Sequence, residues 1–304
     1  MKKLFTLGAL ALILSSCLEP VTITTVNPNE EGKMAINIAT NLETRVTDTA
    51  YEQGDRIGLF VVNEGENLST WESHVTNMCF TLEGEKWTPD QPIYWKDKHT
   101  RAHFYAYYPY ASVNNVNYHN FAVQQNQRDM NGYKASEFLW GKSEYQNPTD
   151  NAIGITTNHK MSLVRLALKA GKGFTFEQLR DAIQEVEINN VCCECTINLE
   201  NGEIQDRSNS TTIYPCLNSS ETNNGEQYVV YYALTVPQTV SNGSRIITIR
   251  IADDEYVVNL NRDYTFKAGK RHKLTINVDK INNGVNVGVG GWEEDDDEFW
   301  GDAE

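Results

Sequence analysis

The sequence predicts an all-β chain, two β-sandwich halves in tandem with one short helix in the second. Three observations carry that expectation. Short runs of β-branched and aromatic residues alternate in period two and are separated by Gly, Pro, Asn and Asp, the punctuation of sheets. One stretch, beginning at Thr175, combines helical spacing with a helix start signal. Between Asn147 and Asn151 the composition turns to turn formers, and strand-like patterning begins afresh beyond it.

At the front, Lys2 and Lys3 precede an apolar run from Leu4 to Leu14. This is the shape of a secretory signal, too short to cross a bilayer as a helix. The run ends in Leu14-Ser15-Ser16-Cys17, an apolar residue three before a cysteine with small residues between. These residues resemble the lipobox of bacterial lipoproteins, which implies that residues 1–16 are removed and that Cys17 becomes the lipid-bearing N-terminus. Acyl chains at about 0.8 kcal/mol per buried CH₂ make such an anchor firm. An ordinary signal peptide with an incidental cysteine is the competing reading. Residues 17–33 are polar, hold Pro20 and Pro28, and read as a tether.

The first half spans 34–152. Met34, Ile36 and Ile38 alternate with Ala35, Asn37 and Ala39, the mark of a half-buried strand over 34–40. Thr44 to Asp48 is a polar, exposed connection, and Gly54-Asp55 leads into the buried strand Ile57–Val62. A strand follows at Val75–Phe80, then a turn at Glu83-Gly84, Trp87, and the prolines Pro89 and Pro92 before Ile93-Tyr94-Trp95. The aromatic run from His103 to Tyr108 ends at Pro109, where a ladder N–H is missing. Gln124 to Met130 is polar, and Ser136 to Trp140 returns to strand-like residues.

The second half spans 153–291. Val164, Leu166 and Leu168 alternate as a strand. Thr175 and Gln178 have capping-box spacing, and Leu179, Ala182, Ile183 and Val186 follow at helical intervals, predicting a helix of two to three turns. Thr196 to Leu199, an Asn201-Gly202 hairpin turn and Ile204 come next, then a polar loop through Glu226. Strands are expected at Tyr228–Val236, Arg245–Ala252, Tyr256–Leu260 and Lys273–Val278, with a hairpin turn at Asp253-Asp254. Residues 292–304 join acid to aromatics. Their three consecutive aspartates lack EF-hand spacing and its glycine turn, so a solvated, self-repelling terminus is expected.

Composition narrows the function classes. The net charge is −15, and taking Lys2 and Lys3 from the 26 basic residues leaves 24 against 41 acidic ones, near −17. That argues against nucleic acid and against docking on anionic headgroups. Cys79, Cys192, Cys193, Cys195 and Cys216 are odd in number, so at least one is unpaired. The 192–195 cluster lacks Cys-x-x-Cys spacing and a nearby downstream histidine, so buried thiols fit better than a disulfide to Cys216, and both fit better than zinc. There is no Gly-x-Ser-x-Gly elbow, no His-Glu-x-x-His and no glycine-rich phosphate loop, and the six histidines are scattered. No catalytic residues, metal or cofactor are expected, and a non-enzyme is predicted. The six tryptophans and fifteen tyrosines motivate an alternative, a surface glycan-binding lipoprotein, against which stands the reading of Tyr105, Tyr107 and Tyr108 as core.

Several motifs, in this order, resemble the fimbrillin-like family of Bacteroides-type lipoprotein pilins. They are Thr44-Arg45 with Thr49-Ala50-Tyr51-Glu52-x-Gly54-Asp55-x-Ile57-Gly58-Leu59-Phe60, then Phe104 to Tyr110, then Asp129, Tyr133 and Ser136-x-Phe138-Leu139-Trp140. His159-Lys160-Met161, Phe266 to Lys270 and Lys273 to Val278 match the family's second half. The resemblance implies two transthyretin-like, Greek-key sandwiches and a building unit of a cell-surface fimbria that supports adhesion. It implies a lipoprotein precursor at the outer membrane, cut by a trypsin-like protease after a basic residue near the first strand. Arg45 is the expected processing site, with an exposed loop arginine as the competing reading. The partners implied are other fimbrial subunits, joined by strand exchange, and host or bacterial surface ligands. The acidic end is a poor strand to donate, which points to a tip or anchor subunit rather than a stalk.

Overall fold

The alternating runs become strands in the computed structural model, which describes residues 32–42, 51–223, 225–280, 290–294 and 298–299. The chain is all-β, of sandwich-like sheets. In order it lays down β1 (Ile38–Leu42), β2 (Arg56–Asn63), β3 (Val75–Glu83), β4 (Lys86–Pro89), β5 (Ala102–Tyr108), β6 (His119–Ala122), helix α1 (Met130–Lys134), β7 (Leu139–Lys142) and β8 (Ile153–His159). Then come β9 (Ser162–Ala170), helix α2 (Phe176–Ala182), β10 (Ile183–Asn198), β11 (Glu203–Ile213), β12 (Cys216–Asn223), β13 (Glu226–Thr235), β14 (Gln238–Val240), β15 (Arg245–Ile251) and β16 (Asp254–Asn259). Last are β17 (Tyr264–Phe266), β18 (Lys270–Val278), β19 (Gly290–Glu294) and β20 (Glu298–Phe299).

The first sheet has the order β1-β8-β7-β5-β2-β3-β4. Its neighbours are antiparallel except β1 on β8, which is parallel. The strand at Ile153–His159 pairs with β7 and β1, so these residues, placed by sequence at the head of the second half, belong to the first sheet. A second sheet runs β11-β10-β15-β16, and a third runs β12-β13-β9-β18-β19. Strand β10 is long enough to pair with β15 through Ile183–Ile188 and, further on, with β6 through Glu194–Ile197.

Both faces of β2 are covered, which explains its unbroken apolar run. Ile57, Leu59 and Val61 point into a cluster with Phe80, Phe104 and Trp95. Phe60 and Val62 point the other way, into a larger core shared with β9, β10 and β13. The segment from Val116 to Phe138 joins that larger core, so the first half lends side chains to the second. Trp140 adds a polar tie, its indole N–H donating to Leu199 O at 2.8 Å.

Several expectations need correcting. The capping box at Thr175 and Gln178 forms, but α2 ends at Ala182, and Ile183 and Val186 start the longest strand. The stretch from Gln205 to Asn223, expected as a loop, is largely β11 and β12. A further short helix, α1, is capped by the Asp129 carboxylate, which accepts from Gly132 N at 2.8 Å. The Asn201-Gly202 turn does close the β10–β11 hairpin, with Gly202 at φ +71. Part of the acidic tail, expected as solvated, is strand: β19 and β20 pair with β18, and the register sets Glu298 opposite Arg271.

Candidate functional site: the slot filled by the first strand

Residues 34–42 bridge two edges. At one end Ile36 N donates to Ile93 O and Trp95 N donates to Met34 O, both at 2.9 Å. At the other end the register runs from Ile38 opposite Ile153 to Leu42 opposite Thr157. Between them Ile153 N donates to Asn37 O at 2.8 Å. Period-two burial follows: Ile36 and Ile38 are 4% and 6% exposed, while Ala35, Asn37 and Ala39 face solvent. The two isoleucines fill a slot walled by Trp87, Ile93, Trp95, Ile153 and Ile155.

Thr40 completes the fit, its hydroxyl accepting the Trp87 indole N–H at 2.7 Å. Taking this strand away would leave that N–H, the main-chain groups of Ile93–Trp95 and the edge of β8 without partners, beside an apolar cleft. Unpaired edges of this kind invite another strand. Parallel pairing is also slightly weaker per residue than antiparallel, so β1 is among the more replaceable strands of its sheet.

The chain is pinned again at Tyr51. Its hydroxyl lies 2.9 Å from Thr157 Oγ1, and its ring meets Trp87 edge-on at 5.1 Å and Tyr108 at 5.9 Å. Burial pushes the Tyr51 phenol pKa far above its usual value. Anything that happens between Leu42 and Tyr51 therefore leaves the rest of the sandwich anchored. Arg45 falls within that interval, and both Arg45 and Cys17 lie outside the described residues.

Other sequence candidates have structural partners. Tyr105 and Tyr107 are buried in β5 and Tyr108 is half-buried. His74 meets Tyr94 O, His103 meets Ser143 O, and His159 lies 3.0 Å from Glu137 inside the protein. The five described cysteines are free thiols, and burial pushes Cys193 and Cys195 up to about 12. Among the described residues no group of three or more His, Cys, Asp or Glu is placed to hold a metal ion. Sequence reasoning named the strand and its following arginine, but it missed Thr40, Trp87 and Tyr51 as the polar frame. Nothing local marks those three, because they meet across 36 or more residues of chain (Tyr51 to Trp87).

Comparison with known proteins agrees with this architecture. A family model described as fimbrillin-like matches residues 44–292. A protein named as a fimbrium tip subunit of Bacteroides ovatus is 37% identical over 87 residues, which is 29% of this chain and 15% of that one. A protein named as a fimbrium subunit of Bacteroides uniformis is 28% identical over 185 residues, 57% of each. The chain thus spans from 15% to 57% of the length of these curated relatives. Among solved structures, one described as a cell adhesion protein of Bacteroides uniformis superposes with a TM-score of 0.66 at 20% identity, covering 90% of this chain and 100% of that one. Another so described, from Bacteroides ovatus, gives 0.68 at 15% identity, covering 90% and 99%. At such identities these likenesses speak to the fold.

Proposed function

The chain belongs to the fimbrillin-like family, and on that premise we propose that it is a structural subunit of a surface fimbria, assembled by strand exchange at the β1 slot and supporting adhesion. In this reading Cys17 carries the lipid that delivers the precursor to the outer membrane. A trypsin-like protease then cuts after Arg45, residues 34–42 leave, and a strand from a neighbouring subunit takes their place. The role is mechanical rather than catalytic: the incoming strand supplies main-chain partners to β8 and to Ile93–Trp95 and alternating apolar side chains to the cleft.

One observation carries the proposal. The segment that would leave is held by two short ladders, antiparallel at Ala35–Tyr94 and parallel on β8, with Ile36 and Ile38 as its plugs, and Tyr51 holds the chain fast just beyond the cut. Mild trypsin treatment of the purified chain, followed by N-terminal sequencing and size-exclusion chromatography, tests it. The expected result is a new terminus at Val46 and a trimmed protein that forms oligomers. A trimmed protein that stays monomeric at high concentration would overturn strand exchange.

A further inference from the structure

We infer that Trp71 is the platform of a binding subsite for a neutral saccharide ring. Trp71 is 77% exposed, the most exposed large apolar side chain among the described residues. The loop that carries it, between β2 and β3, is held at every step. At its base Glu64 pairs with Arg101 and Glu66 with Lys96. Leu68 is buried in the larger core. Ser69 and Ser73, both 8% exposed, bind each other and the loop backbone: Ser69 N donates to Ser73 Oγ at 2.8 Å, while Trp71 N and Glu72 N donate to Ser69 Oγ at 3.3 and 3.2 Å. At the loop's end His74 fastens to Tyr94 O at 2.7 Å. The indole is therefore presented to solvent by a fixed backbone, so little ordering entropy remains to be lost on binding.

The other indoles of the described residues show what is unusual here. Trp87, Trp95 and Trp140 donate their N–H groups to Thr40 Oγ1, Thr149 O and Leu199 O. The Trp71 N–H has no such partner among the described residues, so a donor and most of the indole surface are open to solvent. Its neighbours decide the ligand class. Thr70 and Glu72 flank it with a hydroxyl and an exposed carboxylate, and Asn67 is exposed. The apolar area is one ring wide, far short of the roughly 800 Å² per partner that a stable protein interface needs. It matches the C–H face of a pyranose, which stacks on an aromatic face while its hydroxyls take the indole N–H and the Glu72 carboxylate. The exposed Glu72 carboxylate beside the ring disfavours sialylated or sulfated sugars by like-charge repulsion, while Glu64 and Glu66 are offset by Arg101 and Lys96. The buried β5 tyrosines offer no such face.

The inference draws on the adhesion part of the proposed function and not on strand exchange, so it is tested on the full, uncut chain. The wild type and the Trp71→Ala, Trp71→Phe and Glu72→Gln variants are applied to a printed array of neutral, sialylated and sulfated glycans, with melting temperature as a folding control and light scattering as a measure of self-association. The expected result is retention of neutral glycans by the wild type, at least about tenfold (about 1.4 kcal/mol) weaker binding by Trp71→Ala, partial retention by Trp71→Phe, and unchanged melting. No retention of neutral glycans, preference for acidic ones, or equal retention by Trp71→Ala would overturn it. Self-association that Trp71→Ala abolishes, without glycan binding, would overturn it too and assign the indole to a protein contact.

Discussion

The side chain of Gln127 pairs with the main chain of Leu234 as a strand residue would. Leu234 N donates to Gln127 Oε1 and Gln127 Nε2 donates to Leu234 O, each at 2.8 Å, and Gln127 is fully buried. Strand β12 begins opposite Tyr232, so Leu234 lies just past the reach of its neighbour on that side. One amide from the first half's polar stretch supplies the missing partner. Gln127→Ala orphans a buried N–H and a buried C=O, each costing about 1–3 kcal/mol, so a loss of roughly 2–6 kcal/mol is expected. Urea denaturation checks it, and a change under about 0.5 kcal/mol, typical of surface sites, would sink the idea.

How far this clasp and the slot were legible follows from how local each signal is. The Thr175–Gln178 capping box forms within four residues, and sequence shows it. Strand β10 hid itself: Val186 and Ile188 occupy one phase of the alternation, and Val191, Cys193, Cys195 and Ile197 the other. The bulge between Ile188 and Val191, where Asn190 takes φ +58, switches the phase. Ile183 and Val186 were left looking helical. Strands β11 and β12 are polar sheet edges, held by ladder bonds rather than by an apolar face, so no periodicity announces them. The frame of the slot is the least legible part, because Tyr51 with Thr157 and Thr40 with Trp87 are contacts of topology, 106 and 47 residues apart.

The cap of α2 gives a milder prediction. Thr175 Oγ1 accepts from Gln178 N at 3.3 Å and Gln178 Oε1 accepts from Thr175 N at 3.0 Å. Thr175→Ala removes half of that box and should cost about 0.5–2 kcal/mol. Leu179, fully buried, still holds the helix to the core, so circular dichroism should show a lowered melting temperature with the strand signal intact. A wild-type melting curve would count against the cap.

The thiols set an alkaline limit. Burial raises Cys193 and Cys195 from the usual 9.0 to about 12. The unfolded chain therefore releases these protons at a lower pH than the native one, and between about 9 and 12 the native state holds more protons. Stability is fully present below 9 and falls as pH rises through that window. Because the thiolate is the nucleophile, iodoacetamide at pH 8 should leave both cysteines unmodified in the native protein and label them in urea. Rapid native labelling, read by peptide mass, would contradict this burial.

The slot makes its own prediction, in two states of one chain. Ile38 is 6% exposed against Ile153 and Ile155, so Ile38→Ala in the uncut protein should cost about 2–5 kcal/mol, as truncating a buried isoleucine does. If residues 34–42 leave after cleavage, the same substitution must be silent in the trimmed protein, because the altered side chain is gone. Conversely Ile155→Ala, in the wall rather than the plug, should destabilise both forms and weaken oligomers of the trimmed one. Arg45→Ala should hold the chain in its uncut form under mild trypsin, with no terminus at Val46. Paired denaturation curves and N-terminal sequencing decide it. An Ile38→Ala effect of equal size before and after trypsin would mean that the first strand stays in place, and the slot would then be closed to any other strand.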